Sequence, residues 1–209
     1  MARFTRDPHE VAEVLRSGGI AVYPTETFYG LGAVATASEA LERLVASKLR
    51  PPGKALPLIA CDRDMAFSLW KSVPEEAIAL ARRFWPGPLT LVLEAAPGLL
   101  PEVTGEGTVG VRVPGSAVAR ELSRRCRAPL VSTSANLSGG PPVARVEDLD
   151  PALLARVDAV LDGGPVAGGL PSTVVEVRAG GLRLLRAGAL PWAEIQDSVT
   201  GGSLPFHSE

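Results

Sequence analysis

The chain has 209 residues, 46% hydrophobic and 21% charged, which is enough for one sizeable core and too apolar for a disordered chain. Its formal net charge of −2 excludes a protein that coats nucleic acid through bulk charge. Cysteines at Cys61 and Cys126 without C-x-x-C spacing, and histidines at His9 and His207 near the ends, argue against a disulfide framework, a zinc cluster and a triad with a histidine base.

In chain order, Asp7-Pro8-His9-Glu10 reads as a capping box with proline at the first helical position, and Val11, Val14 and Leu15 follow at helical spacing up to Gly18-Gly19. Ile20 to Tyr23 is a short strand ended by Pro24. Residues 25–32 are too irregular in period for helix or strand. Ser38 is expected to cap a second helix with Leu41, Leu44 and Val45 on one face and Lys48 at its C-terminal end. After the Pro51-Pro52-Gly53 break, Leu56 to Ala60 reads as a buried strand, and Pro74 opens a helix through Phe84. Strands are expected at Leu89 to Leu93, Val109 to Val113 and Leu130 to Ser132, with a helix from Ser116 to Cys126. Later strands fall at Val157 to Leu161, Thr173 to Val177 and Leu182 to Leu185.

Helices and strands mix without strict alternation, so the expected fold is α/β: a twisted mixed sheet flanked by helices. With 22 glycines and 19 prolines spread between periodic segments, the domain should have many tight turns. Residues 1–199 read as a single domain and 200–209 as a tail. No apolar run approaches the roughly 18 to 20 residues that span a bilayer, and the N-terminus runs into a capped helix, so a cytoplasmic protein with free thiols is expected.

Two segments stand out chemically. Residues 47–54 carry Lys48, Arg50 and Lys54 with no acid among them, the local charge that holds a polyphosphate or carboxylate. Residues 129–139 run from an apolar strand into the hydroxyls and amide of Ser132, Thr133, Ser134 and Asn136. A solvated charge run and an ordinary turn with a helix cap are the plain alternatives for the two. Gly30-Leu31-Gly32-Ala33-Val34-Ala35 fits a relaxed dinucleotide fingerprint, but the next helix starts too late and basic residues stand where its acid belongs. Gly53-Lys54 is not a P-loop, because Ala55 replaces the magnesium-binding hydroxyl. Trp85-Pro86-Gly87-Pro88 reads as a packed aromatic beside a rigid turn. Residues 112–127 hold Arg112, Arg120, Arg124, Arg125 and Arg127 against Glu121, which leaves a local basic face open.

Taken together, Tyr-Pro-Thr-Glu-Thr-Phe-Tyr-Gly-Leu-Gly (23–32), Lys-Leu-Arg-Pro (48–51), Trp-Pro-Gly-Pro-Leu-Thr (85–90), Gly-Val-Arg-Val-Pro (110–114), Ser-Thr-Ser-Ala-Asn-Leu-Ser-Gly (132–139), Ser-Thr-Val (172–174) and Leu-Arg-Ala-Gly (185–188) resemble, in order, the blocks of the YrdC-domain family of threonylcarbamoyl-AMP synthases. The resemblance is to the short, single-domain form and implies a YrdC-like sheet with a concave basic cavity. It implies that Lys48 and Arg50 are the catalytic cations, that Lys48, Arg50, Thr108, Ser134, Asn136 and Arg186 contact ATP, and that Thr25, Arg112, Ser132 and Ser172 hold L-threonine. The implied chemistry joins L-threonine and bicarbonate into a carbamate that attacks the α-phosphate of ATP. Magnesium would enter with the triphosphate, no tightly bound cofactor is expected, and downstream tRNA threonylcarbamoyl-transfer proteins are the implied partners. Two other readings share the fold: a double-stranded RNA-binding or ribosome-maturation module using the arginine-rich face, and a carbamoyl-adenylate domain of the hydrogenase-maturation type. This chain has no cysteine-rich zinc segments to favour the last.

Overall fold

The computed structural model describes residues 2–48 and 55–200. After the short strand β1 (Arg3–Thr5), helix α1 (Pro8–Arg16) begins where the sequence places it, with the Asp7 side chain accepting from the His9 amide at 2.8 Å. The capping box is not reciprocal, since the Asp7 amide donates to Thr5 Oγ1 at 3.1 Å and Glu10 pairs with Arg3 at 3.0 Å. Strands β2 (Ala21–Pro24) and β3 (Tyr29–Val34) form a hairpin, so half of the segment expected to be irregular is a strand. Its glycines hide the period because they present no side chain to read, yet the second of them is required. A Cβ on Gly32 would lie 2.3 Å from the Val131 carbonyl oxygen and 2.6 Å from the Tyr23 hydroxyl.

Helix α2 (Ser38–Ser47) has Ala37 at its N-cap without a side-chain bond, so Ser38 is the first helical residue and not the cap; Lys48 is the C-cap, as expected. Strand β4 is shorter than expected, Leu58–Ile59, and helix α3 (Arg63–Phe67), capped by Asp62, was not anticipated. Helix α4 (Glu75–Phe84), strands β5 (Leu89–Glu94) and β6 (Thr108–Arg112), helix α5 (Ala117–Cys126) and strand β7 (Leu130–Ser134) follow close to their expected bounds. A four-residue helix α6 (Pro151–Leu154) precedes β8 (Ala159–Leu161), β9 (Thr173–Arg178), β10 (Gly181–Arg186) and α7 (Trp192–Thr200). The sequence reading omits β1, α6 and α7 because each is short or lacks a cap signal.

The strands form one twisted ten-stranded sheet in the order β1-β8-β2-β3-β7-β4-β6-β5-β9-β10. Pairing is mixed: β1/β8, β2/β8, β4/β6 and β5/β9 are parallel, and β2/β3, β3/β7, β4/β7, β5/β6 and β9/β10 antiparallel. The larger core cluster joins Leu31, Leu89, Leu91, Leu93, Val109, Val111 and Val131 of the strands to Leu41 and Leu44 of α2 and Leu80 and Phe84 of α4. Each fully buried leucine there contributes about 1.5–3 kcal/mol of transfer free energy. A smaller cluster packs Val11, Ala12 and Leu15 of α1 and Ala119 and Leu122 of α5 on Ala21, Tyr23, Ile59 and Leu130.

Because side chains alternate across a strand, Leu130, Ser132 and Ser134 share one face, and only Leu130 belongs to the cluster with α1 and α5. Beyond those helices, that face is lined by Gly30, Thr90, Val92, Thr108, Gly110, Arg112, Ser132 and Ser134. Small and hydroxylated side chains on four strands, with apolar ones on the reverse, leave a hollow where a helix could otherwise pack. Trp85, expected to be structural, is buried; its indole N–H donates to the Leu89 carbonyl at 2.7 Å, and its ring stacks on Trp70 at 6.2 Å.

Candidate active site

The hollow is a cavity of about 690 Å³, within the usual range for a small-molecule site of roughly 300–1,000 Å³. Thr25, Thr108, Arg112, Ser132, Ser134, Asn136, Ser172 and Arg186 all line it, although they are scattered over more than 160 positions of sequence. Arg50 lies outside the described residues, as does Lys54.

Strand β6 delivers Thr108, Gly110 and Arg112 at alternate positions, facing β5 with Val92 opposite Gly110. Thr108 closes a tight turn through its hydroxyl, which donates to the Gly105 carbonyl at 2.7 Å. Thr25 stands at the turn between β2 and β3; its hydroxyl donates to the Phe28 carbonyl at 2.6 Å and accepts from the Thr27 and Phe28 amides at 3.3 Å. That arrangement fixes the turn before a ligand arrives, as a site held by rigid hydrogen bonds requires.

Arg186 donates to the Ser172 carbonyl at 2.7 Å and to its hydroxyl at 2.9 Å, and that hydroxyl lies 2.9 Å from Thr90 Oγ1. Gly188 makes this approach possible, since a Cβ there would meet the Pro171 carbonyl oxygen at 2.3 Å and the Thr173 nitrogen at 2.5 Å. Burial, and then the positive charge of Arg112, lowers the Arg186 pKa from its ordinary value. An arginine so placed stays protonated at neutral pH and gains from an anion brought beside it. Arg112 is ion paired with Glu26, and the partners' side chains are 12% and 22% exposed.

Lys48 is 3% exposed and does not line the cavity. Its ammonium donates to the carbonyl of Ser134, to the carbonyl of Asn136 at 2.7 Å and to Asn136 Oδ1 at 3.1 Å, while its own carbonyl accepts from the Ser138 amide at 3.0 Å. The Asn136 side-chain amide donates to the Gly140 carbonyl, and the Ser134 hydroxyl to Asn136 Oδ1. The C-terminal end of α2 and the loop after β7 are therefore joined through Lys48, which shapes the wall formed by Ser134 and Asn136.

The cavity is concave as expected, and the expected basic character rests, among the described residues, on two side chains. These are Arg112 and Arg186, and Arg112 already has a carboxylate partner. In the arginine-rich segment, four of the five arginines are already committed to partners within the fold, Arg112 among them. Arg120 donates to the Pro114 and Gly115 carbonyls, and Arg124 and Arg125 pair with Glu121. Among the described residues, no group of three or more His, Cys, Asp or Glu could hold a metal ion, and no helix is long and apolar enough to cross a membrane. The sequence reading did not single out Thr90, Thr27 and Tyr29, which also line the cavity. A hydroxyl at Thr90 between Leu89 and Leu91 was the available signal, since an alternating strand with one polar face marks an open side.

The Sua5_yciO_yrdC family model, described as telomere recombination, matches residues 13–188. A Pyrococcus abyssi protein named threonylcarbamoyl-AMP synthase is 36% identical over 197 residues, covering 94% of this chain and 57% of its own length. A Bacillus subtilis protein of the same name is 37% identical over 207 residues, covering 97% of this chain and 59% of its own. The chain thus spans less than two thirds of these relatives, whereas it covers 96% of a Xanthomonas campestris protein of that name at 37% identity. Among solved structures, P. abyssi Sua5 complexed with L-threonine superimposes with a TM-score of 0.88 at 34% identity, covering 95% of this chain and 61% of that one. Escherichia coli YciO gives 0.79 at 27% identity, covering 90% of this chain and 97% of that one. HypF, at 22% identity and a TM-score of 0.73, shares the fold alone.

Proposed function

This chain belongs to the Sua5/YciO/YrdC family, and from that premise we propose that it is a threonylcarbamoyl-AMP synthase. The observation that carries the reading is the direct contact between Ser172 and Arg186, at 2.7 Å, inside one cavity. Ser172 belongs to the proposed threonine group with Thr25, Arg112 and Ser132. Arg186 belongs to the proposed ATP group with Lys48, Arg50, Thr108, Ser134 and Asn136. The two groups adjoin, so a carbamate on one substrate can reach the α-phosphate of the other.

In the proposed reaction the threonine amine attacks bicarbonate, water leaves, and the nitrogen becomes a carbamate. A carbamate oxygen then attacks the α-phosphorus of ATP, the bond to the bridging oxygen breaks, and pyrophosphate departs. The carbamate is its own nucleophile, so the chain need supply only position and charge. Arg112 would hold the threonine carboxylate, and Arg186 would face phosphate oxygens with Arg50. Lys48 would act by shaping the loop that carries Ser134 and Asn136. Magnesium would arrive bound to the triphosphate as part of the substrate. The product would pass to tRNA threonylcarbamoyl-transfer proteins in the cytoplasm, and residues 1–199 would act as one catalytic unit with 200–209 as a tail.

The test is pyrophosphate release from ATP and magnesium, with L-threonine and bicarbonate each omitted in turn and the adenylate identified by mass. Release that needs both, with threonylcarbamoyl-AMP formed, supports the reading. A folded protein that releases none, or that does so without threonine, overturns it.

A further inference from the structure

Glu26 occupies the turn between β2 and β3, flanked by Thr25 and Thr27, which line the cavity, but it is not on the cavity wall itself. One carboxylate oxygen accepts from Arg112 Nη1, and the other accepts from the Ser116 amide at 3.3 Å. Ser116 is the N-cap of α5; its hydroxyl accepts from the Ala119 amide at 3.2 Å and donates to the Pro24 carbonyl at 3.2 Å. The backbone passes close on a further side, since a Cβ on Gly115 would lie 3.4 Å from Glu26 Cγ. Strand β2, its turn and the start of α5 thus hold this carboxylate behind Arg112.

We propose that Glu26 is a positioning residue that sets Arg112 for a single carboxylate and keeps polyphosphate away from that place; the inference rests on the functional reading above. A guanidinium offers N–H groups on more than one edge. With Nη1 tied to Glu26 and the side chain on the cavity wall, the remaining N–H groups are held in one orientation, which suits a bidentate carboxylate. Charge does the second part. Arg112 with Glu26 is close to neutral, so the pair offers a monoanion good hydrogen bonds but a triphosphate little net attraction. Arg186, held by the neutral oxygens of Ser172, keeps its full charge for phosphate. Specificity set this way works against the wrong ligand as well as for the right one.

The test compares wild type with Glu26→Gln, which keeps the shape and removes the charge. The threonine KM is expected to rise about 10-fold, a modest part of the roughly 100-fold that misplacing a binding group can cost, while the ATP KM stays unchanged. Tripolyphosphate is expected to compete with threonine in the variant and not in wild type. Glu26→Asp, which retains the charge at shorter reach, should give an intermediate threonine KM and resist tripolyphosphate. Asp7→Ala removes the α1 cap, away from this arrangement, and should lower the melting temperature without moving either KM. Equal changes in both KM values, tighter threonine binding in Glu26→Gln, or the same KM shift in Asp7→Ala would overturn the proposal. Should wild type neither turn over nor bind threonine by calorimetry, the functional reading fails first and takes this inference with it. A normal wild type beside an unaltered Glu26→Gln removes the inference alone.

Discussion

Replacing Lys48 with Met keeps the length and apolar stem of the side chain and removes its ammonium. The ammonium has the Ser134 carbonyl, the Asn136 carbonyl and Asn136 Oδ1 as acceptors, at a position only 3% exposed. Hydrogen bonds to a charged donor contribute about 1.5–3 kcal/mol each, but taking the ammonium out of water costs several kcal/mol and offsets much of their sum. What decides the outcome is that Met leaves three part-buried acceptors without their charged donor, a penalty of about 2–3 kcal/mol in all. In a domain of this size each kcal/mol moves the melting temperature by about 2–4 °C, so the variant should melt about 4–12 °C lower. Calorimetry at neutral pH measures this directly, and limited proteolysis should place the new cleavage within 134–140. Turnover should fall because Ser134 and Asn136 lose their anchor. A variant that melts with wild type and resists protease, yet has lost turnover, would refute the anchoring argument and return Lys48 to a direct role at the phosphates.

Gly188→Ala forces a methyl against the Pro171 carbonyl and the Ser172 backbone at 2.3–2.5 Å; it should cost about 1–3 kcal/mol as overpacking, seen as a lower urea midpoint, and should raise both KM values because Ser172 and Arg186 shift together. Glu176 bears on acid stability: burial would raise its pKa, but hydrogen bonds from Arg178 and Arg183 outweigh this and leave it below the ordinary carboxylate value. Its contribution is therefore present above the unfolded-state value and lost as pH falls through the lower folded one, so in urea melts from pH 7 to pH 3 Glu176→Gln should lose less stability than wild type. Burial, with Asp62 adding to it, pushes the Cys61 thiol up to about 11, and burial does the same at Cys126. About one thiol in a thousand is then ionised at pH 8, so iodoacetamide should label the native protein far more slowly than the urea-unfolded chain, and equal rates would contradict the burial.

The sequence made the architecture legible where periodicity and caps are local. Asp7 before Pro8, Pro74 before Glu75 and Ser116 before Ala117 each mark a helix start, and the alternation of Leu89, Leu91 and Leu93 marks a strand. It failed where the informative atoms belong to a distant partner. Residues 29–32 read as irregular because Gly30 and Gly32 present no side chain, and only the Tyr23 side chain and the Val131 carbonyl explain why none fits at Gly32. Composition at the site was legible in the same uneven way. Hydroxyl-rich residues 132–136 announce themselves, but Ser172-Thr173 and Arg186 carry little meaning until β9 and β10 pair and bring them together. The resemblance grouped them before any physical argument did.

Lys48 shows why residue type alone does not fix a role. A lysine in a basic run beside a hydroxyl loop suggests a phosphate ligand, and in free solution its ammonium would be drawn to one. In the fold the same ammonium has carbonyl oxygens within 3.1 Å and ties down the loop that carries Ser134 and Asn136. Arg112 undergoes the complementary change, because Glu26 lowers the net charge of the pair while Arg112 still lines the cavity. The unneutralised charge on the described wall is then Arg186, standing opposite strands that carry hydroxyls. Such a surface favours one highly charged ligand near Arg186 and one weakly charged, hydrogen-bonding ligand near Arg112. That asymmetry suits the joining of a nucleoside triphosphate to an amino-acid carbamate, and two identical substrates would have no use for it.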